Sequence, residues 1–114
     1  MFLHLPAVLT RDQLLGVREI LAGAPFVNGR RSAGSMAQRV KHNEAVDSRG
    51  PQLRQLNALV MDGLTRHPLY RSAALPLRVA APYYARYTPG MAYGDHVAAP
   101  IVANDTGLYR SAIA

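Results

Sequence analysis

The sequence predicts an α+β fold, and three observations predict it. Two stretches place apolar residues at helical spacing between recognisable start and stop signals. From Leu75 onward the pattern becomes an alternation with a period of two, the mark of strands. The chain has 114 residues, 49% of them hydrophobic and 18% charged, which suits a single domain over 1–114 with helices packed on one face of a sheet.

Phe2 to Val8 reads as a short strand. Thr10 follows as a helix N-cap: Gln13 three residues on completes a capping box, and Asp12 lies favourably in the electropositive first turn. Leu14, Val17 and Leu21 then recur along one face, widened by Leu15 and Ile20, until Gly23 and Pro25 stop the helix. The run from Val27 to Ser35, rich in Gly, Arg, Ser and Asn, reads as a loop or hairpin connection. Ala37 to Lys41 is a strand in this reading, and the segment to Asp47 a turn into the next helix. Pro51 suits that helix's first turn; Leu53, Leu56, Val60 and Leu64 line one face, with Leu59 and Met61 beside it, and His67-Pro68 ends the pattern. Leu77, Val79, Ala81, Tyr83, Ala85 and Tyr87 alternate with Arg78, Ala80, Pro82, Tyr84 and Arg86, a strand whose proline argues for an edge or a bulge. Pro89-Gly90 makes a turn, Ala92 to Val97 the next strand, and Asn104 to Gly107 a turn before a last strand at Leu108 to Ile113.

Cysteine is absent, which removes disulfides, thiolate zinc sites and cysteine nucleophiles together and leaves any metal to His, Asp or Glu. The formal charge of +6 sets 13 Lys and Arg against 7 acids, with Lys41 the single lysine. Such an excess can serve nucleic acid or anionic ligands. The arginines, however, are scattered from Arg11 to Arg110 without the interleaved aromatics that stacked bases need, which argues against nucleic acid. No phosphate-cradling glycine loop, nucleophile elbow or zinc-type His-Glu helix occurs. No lysine or arginine precedes Arg11, Pro6 interrupts the first apolar run, and no stretch approaches the ~20 apolar residues of a membrane span. A cytoplasmic protein without membrane association is expected.

The chemistry concentrates between Arg86 and Ala98, Arg-Tyr-Thr-Pro-Gly-Met-Ala-Tyr-Gly-Asp-His-Val-Ala. A non-haem ferrous site of the oxygenase kind takes two histidines and one carboxylate and keeps coordination positions open. His-x-Asp on a strand supplies two of the three, because a spacing of two points both side chains to one face. His96 stands at the histidine position; Ala98, whose methyl group cannot coordinate, stands at the carboxylate position. Asp95 is no substitute, since the neighbour of His96 faces the other way. By pattern alone His96 also reads as a structural strand histidine, and Tyr87 as a core aromatic. His4, His42 and His67 show no ligand-pair spacing and read as surface or loop. Glu44 and Asp47, three apart, could share a helical face but are left structural.

Arg86, Tyr87, Gly90, Tyr93 and His96 match the pattern Arg-Tyr-x-x-Gly-x-x-Tyr-x-x-His-x-Asp. In this the chain resembles the prolyl-4-hydroxylase-like branch of the Fe(II)/2-oxoglutarate-dependent dioxygenases. Val40 to Asp47 is similar to the Lys-x-Asn segment of the bacterial PKHD-type hydroxylases, and Phe2 to Leu9 to their first strand. The likeness runs nearly end to end but covers only the family's N-terminal half. It implies the opening strands of a double-stranded β-helix, a jelly roll left incomplete at the C-terminus, with the helices packed on those strands. It implies hydroxylation of an unknown substrate with Fe(II), 2-oxoglutarate and ascorbate, His96 as a metal ligand, and Tyr87 as a residue that binds 2-oxoglutarate. Tyr93 is then packing, and Tyr83, Tyr84 and Arg86 barrel wall or surface. The family's second metal histidine and its carboxylate-gripping basic residue have no counterpart in this sequence. With Ala98 in the carboxylate position, the chain is expected to be truncated and inactive alone, although related halogenases carrying such a replacement seat a halide there. The competing expectations are a non-catalytic half-barrel that binds a partner or a second copy through its sheet edge, and a degenerate gene fragment.

Overall fold

The computed structural model describes residues 3–32, 37–74, 79–95, 101–104 and 107–110. Expectations placed on Phe2, Leu77, Arg78, His96, Val97, Ala98 and 111–113 lie outside these residues. Among the described residues the fold is mixed: three α-helices, short strands and two 3-10 turns. Two compact units make up the chain, Met1–Val27 with Ala45–Tyr84, and Asn28–Glu44 with Ala85–Ala114. Strands β1 (Phe26–Asn28), β3 (Glu44–Val46) and β4 (Ala85–Arg86) lie in the order β1-β3-β4.

The first unit is built on two helices. Helix α1 spans Arg11–Gly23, and its expected capping box is formed: Gln13 N donates to Thr10 Oγ1 at 3.1 Å while Thr10 N donates to Gln13 Oε1 at 3.1 Å. Helix α2, Pro51–Arg66, has Pro51 at its start, where a missing N–H leaves no bond unmade. Leu56 on α2 is fully buried and packs with Val17 of α1 and Val46 of β3; Ile20, Leu21, Phe26, Leu53, Leu59 and Val60 close around them. Leu14 and Leu15 stay 41% and 53% exposed, so the apolar stripe of α1 narrows toward its N-terminus. His67 ends α2 as expected, but a third helix, α3 (Pro68–Ala74), begins immediately and was not foreseen from sequence. Among the described residues no helix is long and apolar enough to cross a membrane.

Several strands are shorter than the sequence suggests. The described part of the expected first strand is not extended: Pro6 and Ala7 turn, with Ala7 at φ 53. Pro6 has no N–H for a ladder, and its carbonyl accepts a hydrogen bond from His67 Nε2 at 2.7 Å instead. The N-terminal segment then presses on α2 so closely that a Cβ at Gly63 would fall 2.4 Å from the Val8 carbonyl oxygen. Of the described residues read as one strand through Tyr87, only Ala85–Arg86 form one, β4; Val79 and Tyr83 are exposed, whereas Tyr84, read as wall or surface, joins the core. Pro82 cannot donate to a ladder, and the Tyr84 hydroxyl donates to Asn57 Oδ1 at 3.0 Å. Within this unit, Val46 N donates to the Tyr84 carbonyl at 3.0 Å and Asp47 N to that of Pro25 at 2.9 Å.

The expected loop holds β1, whose Phe26 and Val27 belong to the first unit, and, in the second unit, the 3-10 turn Gly29–Ser32. The expected strand from Ala37 is a 3-10 turn, Ala37–Arg39, followed by β2, Lys41–His42; the expected turn after it is β3. Buried Ala45 and Val46 supply the apolar face that makes β3 a strand. Antiparallel pairing sets Lys41 opposite Tyr93 and His42 opposite Ala92 in β5 (Ala92–Tyr93). The predicted Pro89-Gly90 turn precedes β5, with Gly90 at φ 88 and Met91 N donating to the Thr88 carbonyl at 2.9 Å. Strands β6 (Ile101–Asn104) and β7 (Gly107–Arg110) pair antiparallel with Asn104 opposite Gly107; Asp105 and Thr106 of the turn expected there lie outside the described residues.

Candidate functional site

The residues that gather in the second unit are polar. Along β2 and into β3, side chains alternate between faces, so Lys41 and Asn43 turn inward while His42 stays exposed. Lys41 is 5% exposed and Asn43 only 3%, unusual for residues that prefer water. Both are anchored. The Lys41 ammonium lies over the Tyr93 ring, 5.1 Å from its centroid, a cation–π contact that the β2–β5 register brings about. The Lys41 carbonyl accepts from Arg30 Nε at 2.7 Å.

Asn43 is held at both ends. Its carbonyl accepts from Gly29 N at 2.9 Å, and its side-chain Nδ2 donates to the Tyr87 hydroxyl at 2.7 Å. The amide oxygen Oδ1 is buried and has no hydrogen-bond partner among the described residues. Gly29 admits this arrangement because any Cβ there would fall 1.8 Å from Asn43 Oδ1. Tyr87 itself follows β4 and is half exposed, so its ring borders solvent while its hydroxyl is fixed from inside. The preceding residue, Arg86, donates to Glu44 Oε2 from Nη2 at 2.5 Å and from Nε at 2.8 Å. Glu44 therefore balances the charge beside Tyr87, and it does so from a strand rather than from the helical face once conceivable for Glu44 and Asp47. Asp47 is paired instead with Arg49 at 2.7 Å.

Of the residues singled out in the sequence, Tyr87 is thus in a defined polar setting, and His96 and Ala98 lie outside the described residues. His4 and His42 are exposed, and His67 serves the Pro6 carbonyl. Among the described residues no three His, Asp or Glu side chains gather as a metal-binding group. Tyr84, outside this site, has its phenol pushed above the usual range by burial. Sequence reasoning gave Asn43 no role of its own and read Arg86 as wall or surface. The signal available was two polar residues at strand spacing, Lys41 and Asn43, on the same inward face.

No protein-family model matches the chain. Curated relatives do. A PKHD-type hydroxylase of Thioalkalivibrio sulfidiphilus is 47% identical over 111 residues, covering 97% of this chain and 50% of the relative. One of Hyphomonas neptunium is 44% identical over 104 residues, 91% of this chain and 46% of the relative. Another, of Klebsiella pneumoniae, is 41% identical over 112 residues, with 97% and 50% covered. The chain spans about half the length of the curated relatives it matches. Identities of 41–47% over 91–97% of its length mean that the chain belongs to the PKHD-type hydroxylase family.

Proposed function

We propose that this chain is the N-terminal, carboxylate-binding part of an Fe(II)/2-oxoglutarate-dependent hydroxylase, and that alone it does not turn over. The strands would be the opening of a double-stranded β-helix. The observation that carries the binding half of this reading is the Tyr87 hydroxyl, held by a buried amide at 2.7 Å beside an arginine already neutralised by Glu44. A phenol so placed suits recognition of a carboxylate, because the ring sets the reach and the hydroxyl donates.

The donors present do not fit ferrous iron. Ala98 offers no coordinating atom at the position where the family pattern carries a carboxylate. The His96-x-Ala98 pair supplies one donor where His-x-Asp supplies two, so this stretch falls short of its share of a facial triad. In the hydroxylase family, iron with 2-oxoglutarate and O₂ supplies the oxidising chemistry; the role proposed for this chain's own residues is confined to binding and orienting the co-substrate. Tyr87 contacts a carboxylate of 2-oxoglutarate, and the Arg86–Glu44 pair keeps the neighbouring surface close to neutral.

Succinate release from 2-oxoglutarate, measured with Fe(II) and ascorbate, tests the inactivity. The expected rate equals that of a His96→Ala control. Turnover well above that control refutes it.

A further inference from the structure

The proposed reading of Tyr87 leaves open which way its hydroxyl proton points, and Asn43 decides it. A phenol oxygen carries one proton and accepts through its lone pairs. With Asn43 Nδ2 donating to that oxygen at 2.7 Å, the hydroxyl cannot also donate toward Asn43, and its proton is left for another acceptor. Being the acceptor in one hydrogen bond also makes the hydroxyl a stronger donor in the next.

Two further observations show that this orientation is built into the fold. Asn43 is 3% exposed, so water does not compete for its amide, and its backbone is pinned by Gly29 N at 2.9 Å. The amide also stands where a Cβ at Gly29 would be, 1.8 Å from Oδ1. Turning the amide over would leave an NH₂ at the position where Oδ1 now has no partner among the described residues, stranding donors in place of one acceptor. We propose that Asn43 is a positioning residue which fixes Tyr87 as a hydrogen-bond donor toward a bound carboxylate. The inference deepens the reading of Tyr87 as a 2-oxoglutarate contact and rests on it.

Asn43→Asp is the informative variant. It is nearly isosteric but only accepts, so the Tyr87 hydroxyl would donate inward and be lost to the ligand. Binding of 2-oxoglutarate to the full chain, without metal, is followed by calorimetry for the unaltered protein, Tyr87→Phe, Asn43→Asp and the double variant. Loss of one hydrogen bond to a charged group corresponds to roughly a ten- to hundredfold weaker Kd, expected for both single variants. In the double variant, Asn43→Asp should add nothing further. A Kd for Asn43→Asp equal to that of the unaltered protein overturns the proposal. So does an equal additional loss in the Tyr87→Phe background, which would mark plain charge repulsion or misfolding.

Nuclear magnetic resonance separates this from failure of the 2-oxoglutarate reading. The Asn43 side-chain amide should show one proton shifted downfield and protected from exchange, returning to ordinary values in Tyr87→Phe, a change at a half-exposed site that leaves the fold intact. If 2-oxoglutarate does not bind, or Tyr87→Phe binds it equally, the co-substrate reading falls and takes the carboxylate role of Asn43 with it. If the Asn43 amide signal ignores Tyr87→Phe, the positioning inference falls by itself.

Discussion

The two compact units bury opposite kinds of side chain. Among the described residues, the first unit buries Val17, Ala45, Val46 and Leu56, all apolar. The second buries Lys41 and Asn43. Apolar burial stabilises in proportion to area and tolerates imprecision. Buried polar groups contribute only when each finds its partner, and they then fix geometry more than they add stability. The helical unit therefore reads as scaffold, whereas the strand unit, with Asn43 clamped to Tyr87 and Lys41 to Tyr93, reads as a site.

Leu56→Ala should break the scaffold side of this contrast most severely. The side chain is 0% exposed at the centre of the core, so truncation leaves a cavity and costs about 3–4 kcal/mol. Urea denaturation measures it. Asn43→Ala should cost far less, about 1 kcal/mol, since it removes one amide hydrogen bond. Equal losses for the two variants would erase the distinction between units.

Gly63→Ala comes next. The new methyl would meet the Val8 carbonyl oxygen at 2.4 Å and Leu9 Cδ2 at 2.8 Å, so backbone must move, at about 1–3 kcal/mol. A neutral outcome in the same denaturation assay would mean that the N-terminal segment does not bear on α2 at all.

What could be read from the sequence divides along the same line. The Thr10–Gln13 capping box, Pro51 at the start of α2 and the Leu56 face are local features, settled within a few residues, and they are all found in the scaffold. The strand unit is made by contacts between distant positions: Asn43 and Tyr87 are 44 residues apart, Glu44 and Arg86 are 42 apart. No periodicity announces such pairs. Alternation placed Tyr83 and Tyr87 on one face and Tyr84 on the other without saying which is buried: Tyr83 and Tyr87 are both 50% exposed, while Tyr84 turns to the core. Pro6 and Pro82, already marked as interruptions in the sequence, shorten the strands expected around them. The family motif singled out Tyr87 but gave no hint of the amide behind it.

Glu44→Gln probes the polar unit where it is open to solvent. The Arg86 and Glu44 side chains are 47% and 33% exposed, so the pair contributes only about 0.2–1 kcal/mol. The difference between Glu44→Gln and the unaltered protein should shrink in ~1 M salt, which screens exposed charges. A large, salt-independent loss would instead place Glu44 among the buried polar anchors.

The smallest expected effect tests whether the apolar unit also depends on charge. Asp62 on α2 is held below the usual carboxylate range, first by its hydrogen bonds from Arg66 and then by Gln13, whose Nε2 reaches it from α1 at 2.8 Å. A carboxylate whose folded value is depressed binds its proton more readily in the unfolded chain. Its contribution is therefore fully present above the ordinary carboxyl range near ~4 and fades as pH falls through the lower folded value. Asp62→Asn keeps an acceptor for Gln13 but cannot ionise. Urea midpoints across a pH series should show the two proteins differing most at neutral pH and converging in acid, by a small margin because the site is exposed. A gap that stays constant with pH would mean that the Asp62 carboxylate links α1 and α2 through hydrogen-bond geometry alone, leaving the helical unit as indifferent to charge as its core implies.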